Sequence, residues 1–232
     1  MEFLIDCKDL QKSYGKKQII RNMDLQLEKG KIIGLLGPNG SGKTTLIKIL
    51  AGILCRNKGE VTIDGKQIGV QSKEIVSYLP ERTYLSPSMR VIEAILFFED
   101  FYADFRKDRA VEMLEKLGID LHDRIKQLSK GTREKLQLVL VMSRDAKVYL
   151  LDEPMGGVDP AARDYILKTI LTNYSPDSSI IISTHLISDV EKVLDDVVFI
   201  KNGEIVLHQS VDTIRETNSK SVDALFREVF AC

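Results

Sequence analysis

Gly37-Pro38-Asn39-Gly40-Ser41-Gly42-Lys43-Thr44 follows the apolar run Ile32 to Leu36 and precedes Thr45-Leu46-Ile47-Lys48-Ile49-Leu50. Gly, four residues, then Gly-Lys-Thr between a strand-like and a helix-like run predicts strand, tight loop, helix. A loop that holds a polyphosphate points its backbone N–H groups inward, so Gly37, Gly40 and Gly42 are expected to supply positive φ and close backbone approach. Lys43 is then placed to reach the β and γ phosphates, and Thr44 offers a hydroxyl to Mg²⁺. The helix opening at Gly42 turns its unpaired N–H groups and positive dipole end to the same charge. Gly37, Pro38, Asn39, Gly40, Ser41, Gly42, Lys43, Thr44 and Thr45 are the candidate phosphate-binding residues.

A second stretch supplies the counterpart. Val148-Tyr149-Leu150-Leu151-Asp152-Glu153 reads as a buried strand ending in adjacent carboxylates, which calls for a cation. On neighbouring strand positions the two side chains face opposite ways, so Asp152 is assigned to Mg²⁺ and Glu153 to orienting and polarising a water.

Around these stretches, strands and helices alternate. Residues 2–10 and 18–27 read as two strands joined through Ser13-Tyr14-Gly15-Lys16, forming an antiparallel flap. A short strand pair is expected around Gly59 to Ile63, and a strand from Glu74 that Pro80 stops. From Ser88 to about Ile125 the period becomes helical, with Val91, Ala94, Ile95 and Phe98 on one face, and this block reads as an inserted lobe. Alternation resumes after Gly131 and ends in a hairpin at Asn202-Gly203. Val222, Leu225, Phe226, Val229 and Phe230 then mark an amphipathic tail helix expected to pack on its own domain.

Charge and cysteines bound the partners. Thirty-three basic and 34 acidic residues give a net charge of −1, so no nucleic acid is expected. Cys7, Cys55 and Cys232 are odd in number and far apart, which suits a reducing compartment and argues against zinc. No basic leader and no apolar run near 18 residues are visible, so the chain is not expected to be secreted or to cross a membrane by itself.

Leu128-Ser129-Lys130-Gly131-Thr132, Asp152-Glu153-Pro154, Gly156-Gly157-Val158-Asp159 and Ser183-Thr184-His185 complete the pattern. With the phosphate loop they resemble, over nearly the whole chain, the nucleotide-binding ATPase subunit of ABC transporters. The resemblance implies an α/β P-loop NTPase fold: a RecA-like mixed sheet flanked by helices, an N-terminal antiparallel β flap and an inserted all-helical lobe. It implies one domain over 1–232, with 1–81 and 133–232 as core and flap, 82–132 as the lobe, and 210–232 as a helical tail. It further implies ATP and Mg²⁺ as ligands, Tyr14 as the ring stacked on adenine, and His185 at the γ-phosphate. Ser129, Lys130, Gly131 and Thr132 become the signature that caps ATP on the other subunit of a head-to-tail homodimer or heterodimer, and Asp159 belongs to the D-loop.

Departures from the family pattern are Glu81 for the usual glutamine, Lys130 for glycine, Thr132 for glutamine and Gly156 for serine. Glu81 can still hydrogen-bond water and touch Mg²⁺, so the catalytic set is Lys43, Glu81, Glu153 and His185, and the metal set Thr44, Glu81 and Asp152. The combination of Pro80-Glu81 with Ser129-Lys130-Gly131 resembles bacterial single-domain ATPases that serve separate permeases exporting drugs, lantibiotics or antimicrobial peptides. The expected function is ATP hydrolysis driving such an integral membrane permease from the cytoplasmic face. Two other readings are an ABC ATPase in DNA repair or on the ribosome, and a module that senses ATP without turnover. Tyr84, Leu85, Val91, Ile95, Phe97, Phe98, Phe101 and Tyr102 are expected to form in part an exposed groove for a permease helix.

Overall fold

The computed structural model describes residues 3–156, 160–172, 174–175 and 177–231. The chain begins with β1 (Ile5–Tyr14), β2 (Lys17–Leu27), β3 (Ile32–Leu36), α1 (Lys43–Leu50), β4 (Lys58–Ile63) and β5 (Lys66–Gln67). Next come α2 (Val70–Glu74), β6 (Val76–Leu79), α3 (Val91–Phe101), α4 (Lys107–Lys116), α5 (Lys130–Met142), β7 (Val148–Asp152) and α6 (Pro160–Thr172). They are followed by β8 (Ser179–Thr184), α7 (Ile187–Val190), β9 (Asp196–Lys201), β10 (Glu204–Ser210), α8 (Val211–Asn218) and α9 (Val222–Phe230).

These strands build two sheets, the mixed α/β architecture with a flap that was expected. The larger has the order β10-β9-β3-β8-β7-β6, parallel except where β10 returns antiparallel on β9. The smaller, β2-β1-β4-β5, is antiparallel throughout. β3 and β7 are buried along their full length, as strands covered on both faces must be. Alternate residues feed two apolar cores: Leu36, Leu151, Ile182 and Phe199 on one face, Leu35, Leu150, Ile181 and Val198 on the other.

A third apolar cluster belongs to α3, α4 and one side of α5. α5 joins it to the sheet, because Leu136, Val139 and Leu140 face the helices while Leu138, Val141 and Met142 face the sheet core. α9 packs on its own domain, with Phe226 and Phe230 placing ring centroids 5.4 and 5.9 Å from Phe199.

Two local expectations change. The flap hairpin is tighter: Tyr14 pairs with Lys17, so Ser13 and Tyr14 belong to β1 and only Gly15 (φ +58°) and Lys16 turn. Residues 70–74 form one helical turn closed by Ser72, whose hydroxyl accepts from the Gly69 N–H (2.9 Å) and donates to the Gly69 carbonyl (3.1 Å). A helix this short has no period to read, so the strand begins at Val76 and not at Glu74.

Register sets the working end of the sheet. Leu36 pairs with Thr184, Asp152 with Ser183 and Leu79 with Leu151, so β3, β6, β7 and β8 end level.

Candidate active site

The loops leaving these level carboxyl ends are where an open α/β sheet receives ligand. Here they border one cleft of about 1000 Å³. The loop after β3 winds around Lys43, whose ammonium donates to the carbonyls of Gly37 (2.7 Å) and Pro38 (3.3 Å). Gly40 (φ +80°) and Gly42 (φ +116°) adopt the positive φ expected of them. Gly37 does not: it is needed for space, because a Cβ there would collide with the Ile200 carbonyl and lie 2.6 Å from Ser41 Oγ. The Asn202-Gly203 turn braces the loop, with the Gly203 N–H donating to Ser41 O (2.9 Å) and Gly203 O accepting from the Arg21 N–H (3.0 Å).

Asp152 is fully buried at the end of β7. Its Oδ1 accepts from Ser183 Oγ (2.7 Å) and Thr44 Oγ1 (3.0 Å), while Oδ2 is buried with no hydrogen-bond partner among the described residues. Burial pushes this carboxyl up, the Ser183 and Thr44 hydroxyls pull it down, and the Glu81 charge pushes it up again. For Lys43 burial lowers the ammonium, while the charges of Glu153, Asp152 and Glu81 raise it. Glu81, Asp152 and Glu153 thus act on the Lys43 ammonium, and Lys17, Arg82, Lys130 and Arg133 also line the cleft.

Glu153 corrects the expectation of simple alternation. Its φ is +51°, so the strand has ended and the chain turns back across β8. The Glu153 N–H donates to both the carbonyl (3.0 Å) and the hydroxyl (3.1 Å) of Ser183. This turn sets Glu153 Oε2 2.9 Å from His185 Nδ1, with the carboxylate largely covered and the imidazole half exposed. Ser183 therefore holds both acids in place. In the sequence Ser183 stands out only as a serine directly after the three isoleucines of β8.

The ABC transporter family model matches residues 20–156, more than half of the chain. The chain belongs to the ABC transporter family. It is 34% identical over 230 residues to the uncharacterized ABC transporter ATP-binding protein YdbJ of Bacillus subtilis, covering 95% of this chain and 74% of that protein. It is 29% identical over 231 residues to the lantibiotic transport ATP-binding protein SrtF of Streptococcus pyogenes, covering 96% of each. A solved structure of the ATP-binding subunit of an ABC transporter superposes with a TM-score of 0.87 at 25% identity, covering 97% of this chain and 99% of its own. The protein is an ABC ATPase, the ATP-binding component of a transporter.

This ABC ATPase has donors that fit Mg²⁺. The orphaned Asp152 Oδ2 and the Thr44 hydroxyl are hard oxygen ligands of the kind Mg²⁺ takes. Among the described residues no group of three or more His, Cys, Asp or Glu could hold a metal.

Most of the expected residues meet. Asn39, Gly40 and 42–45 line the cleft, and across from them stand Glu81, Lys130, Glu153 and His185. Tyr14 is half exposed at the end of β1 and does not line the cleft, which on the flap side is bordered by Lys17 and Ile19. Ser129 caps α5, its Oγ accepting from the Thr132 N–H (3.1 Å). A Cβ on Gly131 would meet nothing within 4 Å. Asp159 lies outside the described residues.

Arg133 and Glu134 also line the cleft and were not anticipated. Their signal was position, one helical turn beyond the Ser129-Lys130 pair. Arg133 Nε and Glu134 Oε2 are buried without hydrogen-bond partners among the described residues, and burial raises the Glu134 carboxyl.

Proposed function

We propose that this ABC ATPase works as a head-to-tail pair, with an identical or a related subunit, and drives export by a separate integral membrane permease at the cytoplasmic face. The observation that carries the reading is the meeting of Lys43, Thr44, Asp152, Glu153 and His185 at the level ends of β3, β7 and β8. The phosphate loop binds the triphosphate through its N–H groups, and Lys43 turns from the loop carbonyls to the β and γ phosphates. Thr44 and Asp152 would hold Mg²⁺, with Glu81 beside them, and bound Mg²⁺ supplies neutralisation of the phosphate oxygens. Glu153 orients the attacking water and accepts its proton. His185, held through Nδ1, keeps Nε2 for the γ-phosphate.

The pairing of subunits is supported by the signature. Ser129 and Gly131 lie at the opening of α5, and among the described residues nothing stands within 4 Å of where a Cβ on Gly131 would be. A phosphate of ATP on the partner suits those N–H groups. The division proposed is a core and flap (1–81 and 133–232, the latter including the helical tail 210–232) and a helical lobe (82–132).

A separate permease is supported by an apolar patch. Of the eight residues considered, Leu85, Val91, Ile95 and Phe98 are buried, whereas Tyr84, Phe97 and Phe101 are exposed together with Leu96. The Phe97 and Phe101 rings pack in a tilted arrangement with centroids 4.5 Å apart, and Phe101 is 69% exposed. A short amphipathic permease helix would bury them. No helix among the described residues is long and apolar enough to cross a membrane. Transport is supported by the likeness to the lantibiotic transport protein, and export by that to the SkfA peptide export ATP-binding protein SkfE of Bacillus subtilis, 30% identical over 211 residues, covering 88% of this chain and 87% of that protein.

In cells carrying its permease, the wild-type chain is expected in the membrane fraction and Phe101→Ser in the supernatant, with phosphate release by the isolated subunit unchanged. Loss of both properties in that variant would make the patch part of the core. For Tyr14 a ring face is sufficient: Tyr14→Phe should bind ATP normally, and Tyr14→Ala should lose about 1–3 kcal/mol of affinity by calorimetry. Equal affinity of all three proteins would return Tyr14 to flap packing.

A further inference from the structure

Arg144, two residues beyond α5, is 2% exposed and bound on every side. Its Nε and Nη2 donate to the two carboxylate oxygens of Asp104 (2.9 and 3.0 Å). Nη1 donates to Val76 O (2.6 Å) and Nη2 also to Glu74 O (2.7 Å), while the guanidinium carbon lies 3.9 Å from the centre of the Tyr102 ring. One side chain thus joins two regions. Tyr102 and Asp104 follow α3 directly after the exposed Phe101, and Glu74 and Val76 lead into β6, which ends at Pro80-Glu81.

β6 is the terminal strand of its sheet and pairs only with β7 among the described strands, so side-chain contacts fix its free edge. Besides Arg144 these are Ser77 Oγ donating to Val141 O (2.9 Å) and Gln137 Nε2 donating to Pro80 O (3.3 Å). All three join β6 and the residues flanking it to α5 or its end. β6, α5 and the Tyr102–Asp104 turn are therefore one linked unit, which runs from the residues beside the aromatic patch to the Pro80 carbonyl next to Glu81. We infer that Arg144 is a positioning residue that sets Glu81 against Asp152 and Glu153, an inference that rests on the proposed place of Glu81 in the site. Arg144 makes none of these contacts with β1, β3 or α1, so ATP binding itself should not depend on it.

Arg144→Gln would take the charged partner from a part-buried carboxylate and the donors from the Val76 and Glu74 carbonyls, and could cost the fold. The test therefore uses Asp104→Asn, which keeps the shape and removes one charge, with Arg144→Lys as a second variant. Asp104→Asn is expected to lower kcat for phosphate release roughly tenfold with KM for ATP unchanged. In a Glu81→Ala background the same substitution is expected to add no further loss, because both act on one group. Arg144→Lys should repeat the pattern with a smaller loss. Equal fold losses with and without Glu81, a rise in KM alongside the fall in kcat, or an undiminished kcat in Asp104→Asn would each overturn the assignment while leaving the proposed site intact. Full activity in Glu81→Ala alone would remove Glu81 from the site and the assignment with it, and the single variant reports that outcome separately.

Discussion

Replacing Glu153 by glutamine is expected to slow ATP turnover by roughly 10²- to 10⁴-fold while leaving ATP affinity intact. The amide still accepts from His185 Nδ1 and still holds a water, because its oxygen can occupy the place of Oε2, 2.9 Å from the imidazole. It lacks the charge that draws the proton from that water as it attacks. Removing that charge also removes a carboxylate that would repel a bound triphosphate, so binding has no reason to weaken. Steady-state phosphate release gives the turnover and calorimetry the affinity. Turnover within a factor of about two of wild type would place the base elsewhere, since general-base losses are far larger.

Lys43→Ala is the second large loss, expected at roughly 10²- to 10³-fold in phosphate release. Lys43 is 6% exposed, and the charges of Glu153, Asp152 and Glu81 all act on its ammonium. Its Nζ lies among loop carbonyls at 2.7 and 3.3 Å, contacts that a phosphate oxygen can replace. A charge in so water-poor a place acts mainly on the transferring phosphoryl group, where negative charge is redistributed. Undiminished release from Lys43→Ala would falsify the enzyme reading at its source.

Local chemistry made the phosphate loop legible. Its glycines, Lys43 and Thr44 adjoin one another in sequence, so their roles follow from spacing alone. The carboxylates were legible as a pair, but their division of labour was not. Glu153 leaves the strand at φ +51° because Ser183, 30 residues further on, holds its N–H, and no alternation rule contains that contact. Gly37 was assigned to conformation when the crowding of Ile200 and Ser41 decides it. The brace at Gly203 and the hub at Arg144 were invisible for the same reason: their partners stand 162, 70, 68 and 40 residues away in sequence. Aromatic clustering announced a surface, yet only the packing of α3 separated exposed Phe97 and Phe101 from buried Phe98.

The central claim, an ATP site completed by the signature of a second subunit, is tested most directly by the molar mass of Glu153→Gln in solution. With hydrolysis stalled, ATP stays in place between phosphate loop and signature, so light scattering should report the monomer mass without nucleotide and twice that mass with ATP and Mg²⁺. Adding Ser129→Arg, which puts a bulky side chain where the partner's phosphate must approach, should restore the monomer. A Glu153→Gln protein that binds ATP yet remains monomeric at every ATP concentration, including with its permease present, would contradict the composite site.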